Sequence, residues 1–218
     1  MFHAIGGLFD THELAALREA VAGLDYEDGS RTAGALAKAV KNNAQAADTP
    51  ARKGVLKKVE AALLKSAAFA SAARPKAFAG MLVSRYAGGQ TYGAHVDDAL
   101  MGGARTDLSF TLFLSDPETY TGGELVVEDR IEDRAFKLGA GELILYPSDT
   151  LHRVQPVTDG VRHAVVGWAT SWVRDATRRE ILFDLDAAIA AEAAQGDNPA
   201  QVGRLARTRS NLLRMWAD

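Results

Sequence analysis

A chain of 218 residues, 47% hydrophobic and 24% charged, has the apolar material for one ordinary domain with appended helix and is not a disordered chain. Its net charge of −3 argues against a nucleic-acid binder, and its lack of cysteine excludes disulfides, thiolate metal sites and cysteine nucleophiles, leaving His, Asp and Glu as metal ligands. No basic leader with an apolar core and no run of about 18 apolar residues is visible, so a cytoplasmic protein without a membrane span is expected.

Asp10-Thr-His-Glu13 reads as a helix start, with an acidic N-cap and a glutamate three residues on. Leu14, Leu17, Val21 and Leu24 then repeat at helical spacing and form one apolar face. Asp25 to Thr32 is polar with a Gly-Ser turn. The Ala-rich stretch from Ala33 to Ala47, which holds Lys41, Asn42 and Asn43, is expected as a short helix or an ordered loop. Thr49-Pro50 starts another helix, since proline is tolerated at the first helical position. Val55, Val59, Leu63 and Ala67 carry that helix towards Ser71, short of Pro75.

At Phe78 the texture changes. Phe78 to Tyr86 reads as a strand. In Asp107 to Ser115 the residues Leu108, Phe110, Leu112 and Leu114 face one way and Ser109, Thr111 and Phe113 the other. Short strands follow at Glu124 to Glu128, Phe136 to Leu138, Glu142 to Tyr146 and Leu151 to Val154, separated by Gly122-Gly123 and Gly139-Ala-Gly141 turns. A long alternating strand runs from Val161 to Trp172. Many short strands between turns indicate a β-sandwich or barrel, with the first 75 residues packed outside as helices. The helical period returns after Trp172. Ile181, Leu185 and Ile189 share a face, Gly196-Asp-Asn-Pro199 breaks that helix and caps the next, and Val202, Leu205, Leu212 and Trp216 share a stripe. This C-terminal helix pair is a candidate either to cover the barrel or to pair with another subunit as a homodimer.

His95 and Asp97 are two apart, so on a strand one imidazole and one carboxylate point to one face. His152, from a distant strand, supplies a second imidazole. Two histidines and one carboxylate leave three positions of an octahedral ion open, an arrangement suited to a non-haem Fe(II) oxygenase. Arg162, ten residues past His152, is suited to hold a carboxylate through two parallel hydrogen bonds. Spacing alone favours a surface histidine, a turn aspartate and a loop histidine; the order of the residues and the strand-like segments that carry them favour a site. If Arg162 points inward, so do Ala164, Val166 and Trp168, as an apolar wall. Arg105 is open between touching substrate and capping a strand. Tyr92 reads as packing, Lys41 and Asn42 as an outer brace, and His3, His12 and His163 carry no assignment.

Tyr86-x-x-Gly-x-x-Tyr92-x-x-His95-x-Asp97, Arg105 to Ser115, Gly122-Gly-Glu-Leu125, Leu151-His-Arg-Val-x-Pro-Val-Thr-x-Gly160-x-Arg162 and Arg179 to Asp186 resemble the PKHD-type hydroxylases, Fe(II)/2-oxoglutarate dioxygenases related to the prolyl 4-hydroxylase catalytic domain. The resemblance spans nearly the whole chain. It implies an α+β fold with a mainly β core, a double-stranded β-helix (jelly roll) with N-terminal supporting helices over 1–77, the dioxygenase core over 78–174 and a C-terminal helical extension over 175–218. It implies Fe(II) on His95, Asp97 and His152, and 2-oxoglutarate held by Arg162. Some prolyl hydroxylase relatives use a tyrosine on the strand after His-x-Asp to touch 2-oxoglutarate. Phe113 stands there in this chain, so Tyr86 is the candidate for that contact. The implied reaction is hydroxylation of an unactivated C–H bond in a peptidyl (prolyl among them) or small-metabolite substrate by O2, with CO2 and succinate as co-products and L-ascorbate as a reductant for the iron. A carboxylate at Asp97, where halogenating relatives carry a small residue, favours hydroxylation. The alternatives are a non-catalytic metal- or 2-oxoglutarate-binding module on the same scaffold, and a demethylase-like enzyme acting on nucleic acid, which the acidic balance disfavours.

Overall fold

The computed structural model describes residues 2–32, 38–129 and 131–218. The chain begins with β1 (His3–Ile5), α1 (Thr11–Ala22), β2 (Tyr26–Asp28), β3 (Lys41–Asn42), β4 (Ala44–Ala46), α2 (Pro50–Lys65) and α3 (Ala67–Ala73). The core strands follow: β5 (Pro75–Ala87), β6 (Thr91–His95), β7 (Leu100–Met101), β8 (Ala104–Arg105), β9 (Leu108–Phe113), β10 (Tyr120–Gly122), β11 (Leu125–Val127), β12 (Arg134–Phe136), β13 (Leu143–Pro147), β14 (His152–Val154) and β15 (Val157–Ser171). Two helices close the chain, α4 (Ala176–Gln195) and α5 (Pro199–Trp216).

The strands form two main antiparallel sheets. The larger runs β1-β13-β9-β15-β5-β4-β2, with β10 also on β15; the smaller runs β12-β11-β14-β6-β3. Together they make a double-stranded β-helix, a jelly roll, with β7 and β8 as a separate hairpin. Strand β9 explains the layering. Leu108, Phe110 and Leu112 join Val83, Leu143, Leu145 and Val165 in a core shared with Leu17, Val59, Leu63 and Phe69 of the helices. Phe113, on the opposite face, joins Tyr86, Tyr120, Leu125, Ile144 and Tyr146 in a second core between the sheets. The expected alternation therefore holds, and both faces are buried because helices cover one and the smaller sheet covers the other.

The helix ends follow their sequence signals. The Asp10 carboxylate accepts from Glu13 N at 2.7 Å while Glu13 accepts from Asp10 N at 3.0 Å, a complete capping box. Three departures from expectation have local causes. The helix expected to reach Ser71 ends at Lys65, because Ser66 closes α2 and then accepts from Phe69 N to cap α3. In the stretch expected as a helix or loop over 33–47, Lys38 is helical and residues 39 and 40 form a turn, but Lys41–Asn42 and Ala44–Ala46 form β3 and β4; residues 33–37 lie outside the described residues. The first 75 residues are thus not all helical, since β1 to β4 extend the two sheets.

At the other end, Arg179 is buried and donates to Val173 O and Arg174 O at 2.8 and 2.7 Å, which fixes the start of α4 to the end of β15. Asp186 accepts from Ser71 at 2.6 Å, from Arg209 at 3.0 Å and from Arg74, tying α3, α4 and α5 together. Gly196 is left-handed (φ 75°) and ends α4, and Asn198 caps α5. The α5 stripe of Val202, Leu205, Leu212 and Trp216 is half-buried. No helix among the described residues is long and apolar enough to cross a membrane.

Candidate metal and co-substrate site

β6 and β14 are neighbours in the smaller sheet, and their register sets His152 directly opposite His95. Directly opposed residues project to the same face. Each imidazole has its Nδ1 on a backbone carbonyl, His95 on Gly93 O at 2.8 Å and His152 on Thr150 O at 2.9 Å. A carbonyl only accepts, so both Nδ1 atoms carry the proton and both Nε2 atoms present a lone pair. Burial lowers the His95 pKa below the usual imidazole range, which favours the neutral ring. Tyr92 stacks on the His95 ring with centroids 3.6 Å apart, which locks the ring plane.

Strand β6 stops at His95, so Asp97 lies just beyond it, yet its side chain still turns to the same side. Its carboxylate is 3.9 Å from each Nε2. Ser109, on the pocket face of β9, donates to Asp97 Oδ2 at 2.6 Å, and the Ser148 hydroxyl is 2.9 Å from that of Ser109. The three side chains are only 5–8% exposed. One ligand atom from each lies within 4.8 Å of the others. Two neutral nitrogens and one carboxylate oxygen, all oriented from behind, fit a divalent first-row metal with positions left open.

The same cavity, of about 190 Å³, reaches Arg162. That side chain is 1% exposed, and its Nε and Nη2 have no hydrogen-bond partner among the described residues. A buried guanidinium without an opposed charge is costly, so this one calls for an anion. Its carbon centre sits 5.1 Å from the Phe113 ring and 5.3 Å from the Tyr86 ring. Tyr86 is directly opposite Arg162 on β5 and β15 and lines the cavity. Burial raises its phenol pKa, so it stays a hydrogen-bond donor.

Val166 and Trp168 line the cavity as the expected apolar wall, joined by Gly167, while Ala164 is buried without lining it. Sequence reasoning missed Tyr146. It faces Ser109 across β13 and β9, lines the cavity and sits 5.2 Å from the His152 ring. Its period-2 alternation with Ile144 would have placed it on one face but not named the cavity. Lys41, expected as an outer brace, lines the cavity beside Tyr92, and burial brings its pKa down to about 8. Arg105 resolves to a structural role: it donates to Asp107 at 2.7 Å and to Asp218 and Ser171 O at 3.2 Å each. His163 packs on Tyr26 and His3 on Phe183, outside the cavity.

A family model described as the 2OG-Fe(II) oxygenase superfamily matches residues 81–170, and one described as the PKHD-type hydroxylase C-terminal domain matches residues 175–218. Among solved structures, a prolyl hydroxylase of Trichoplax adhaerens shares the fold at a TM-score of 0.60, with 15% identity over 78% of this chain and 83% of that one. With relatives that match it over its full length, the chain is an oxidoreductase of the 2-oxoglutarate-dependent oxygenase class. PKHD-type hydroxylases of Parvibaculum lavamentivorans and Acaryochloris marina are 48% and 46% identical, each over 100% of both chains. It belongs to the PKHD-type hydroxylase family, which implies Fe(II) and 2-oxoglutarate.

Proposed function

We propose that His95, Asp97 and His152 hold Fe(II), and that Arg162 holds the distal carboxylate of 2-oxoglutarate with the Tyr86 hydroxyl beside it. The observation that carries this reading is one cavity with a histidine–aspartate–histidine cluster at one end and an unpartnered buried guanidinium at the other. When bound, the metal and co-substrate supply the oxidation of a C–H bond to a hydroxyl by O2, with CO2 and succinate as co-products. The protein's own residues do the rest. The backbone carbonyls of Gly93 and Thr150 hold the two imidazoles in the ligating tautomer, and Ser109 holds Asp97. Arg162 and the rings around it orient the co-substrate and keep water from its distal end. Val166, Trp168, Leu82 and Met101 give the cavity an apolar lining for the substrate.

The substrate class is a peptidyl residue, prolyl among the options, or a small metabolite. The Trichoplax structure holds a peptide fragment, which supports the peptidyl option. Ascorbate serves to keep the iron ferrous. The functional division follows the chain: a supporting layer over 1–77, the oxygenase core over 78–174 and a helical extension over 175–218 that offers a surface for a second subunit, in a cytoplasmic protein.

The test is succinate formation from 2-oxoglutarate by purified protein with Fe(II) in air, with mass spectrometry of a cell extract for a product heavier by one oxygen. Asp97→Ala should end succinate formation, and Arg162→Ala should sharply raise the 2-oxoglutarate needed. Metal and 2-oxoglutarate binding without succinate in air would leave a binding module instead.

A further inference from the structure

Gly122 and Gly123 read as turn formers in sequence. In the structure Gly123 has a second consequence. It is left-handed (φ 71°), and a Cβ placed on it would lie 2.9 Å from Arg162 Cδ, 3.0 Å from Tyr120 Cε2 and 2.8 Å from Val157 Cγ2. The Arg162 stem and the Tyr120 ring edge therefore close on the same point, and only a residue without a side chain lets them do so. Gly160 acts from the partner strand. It sits opposite Tyr120 in the β10–β15 register, and a Cβ there would meet Thr119 O at 2.2 Å. Two glycines thus bring Tyr120 against the base of Arg162.

Tyr120 is 4% exposed, and its hydroxyl has no hydrogen-bond partner among the described residues. A buried phenol normally finds one. Lys137 holds the residue in place from outside, donating to Tyr120 O at 2.8 Å with its ammonium 4.2 Å from the ring centre. Tyr120 belongs to the same buried cluster as Tyr86 and Phe113, the rings that flank the guanidinium. Phe113 offers no hydroxyl to a ligand. The Tyr120 phenol lies within interaction range of the Arg162 guanidinium, and neither the phenol proton nor the Arg162 fork of Nε and Nη2 has a carboxylate or carbonyl to donate to among the described residues.

We propose that Tyr120 is a second residue for the distal carboxylate of 2-oxoglutarate, its hydroxyl donating to that carboxylate beside the Arg162 fork. The proposal rests on the co-substrate reading above. Its consequence is selectivity: the phenol rewards an oxo acid with a second carboxylate and gives nothing to one without it. Burial raises the phenol pKa while the Arg162 charge opposes that rise, so the group remains protonated and able to donate.

The experiment is calorimetric titration of full-length protein loaded with Mn(II) under nitrogen, where binding is read without turnover. The probes are 2-oxoglutarate and 2-oxopentanoate, which has the same carbon chain without the distal carboxylate. Tyr120→Phe keeps the ring that Lys137 covers and removes only the hydroxyl. The expected result is about tenfold weaker binding of 2-oxoglutarate, the loss of one hydrogen bond to a charged group, with 2-oxopentanoate unchanged. Unchanged binding of 2-oxoglutarate overturns the role of Tyr120 and leaves Arg162 as the anchor. Equal weakening of both acids also overturns it, since that marks a packing effect. A wild-type protein that binds the two acids equally well overturns the co-substrate reading itself.

Discussion

His152 faces His95 directly across the β6–β14 ladder, with their ring centroids 4.3 Å apart. The pairing of two strands remote in sequence thus builds two thirds of the proposed metal site before any ion arrives. His95→Ala and His152→Ala should each abolish the rise in melting temperature that Mn(II) gives the wild-type protein, because only a ligand held by the folded state stabilises it. Differential scanning fluorimetry with and without the metal checks this, and a metal-induced rise that survives in both variants rejects the site.

Ser109 acts through Asp97. Removing its hydroxyl in Ser109→Ala frees the carboxylate to turn and leaves its Oδ2 without the 2.6 Å bond. Metal affinity should fall about 10-fold or more, the usual effect of losing a group that orients a ligand. Ser109→Thr should restore part of it. A metal titration by calorimetry reads both.

Asp186 collects Ser71, Arg74 and Arg209 far from the cavity. The carboxylate and the Arg74 side chain are 19% and 13% exposed, so water screens the pair only in part. Asp186→Asn should cost about 2 kcal/mol, below the fully buried case and above an exposed pair. Urea unfolding measures it. Metal affinity should not change, which separates this lock on the helices from the site.

His163 gives a pH dependence with a definite sign. Burial and the nearby Arg85 charge push its folded-state pKa down to about 4, below its unfolded value of about 6.5. Between those values only the unfolded chain takes up the proton. The fold therefore loses stability as pH falls from about 6.5 to about 4, and this group adds no further loss below that. His163→Gln should flatten the slope of unfolding free energy against pH in that window. An unchanged slope shows that the group titrates normally.

The legible parts of the sequence were those where a period met a buried face. β9 alternates because Leu108, Phe110 and Leu112 pack into the core shared with the helices while Ser109 and Thr111 line the cavity and Phe113 enters the core between the sheets. Capping signals at Asp10, Thr49 and Asn198 likewise report short-range bonds that a sequence can show. What stayed hidden was tertiary. Lys41–Asn42 and Ala44–Ala46 are too short for any period, and they are strands only because β6 and β5 lie beside them. Ser66 is silent in sequence because one residue both ends a helix and starts the next. Tyr146 and Tyr120 carry no motif, and their place beside the site depends on which distant strand each one faces.

The two-faced character of β9 also bears on how such an enzyme can change. One side of the strand keeps the molecule standing, and the other meets the chemistry. Residues such as Thr111 can be exchanged while Leu108 and Leu112 hold the helices where they are. New pocket shapes can therefore be tried on this scaffold without first rebuilding its foundations.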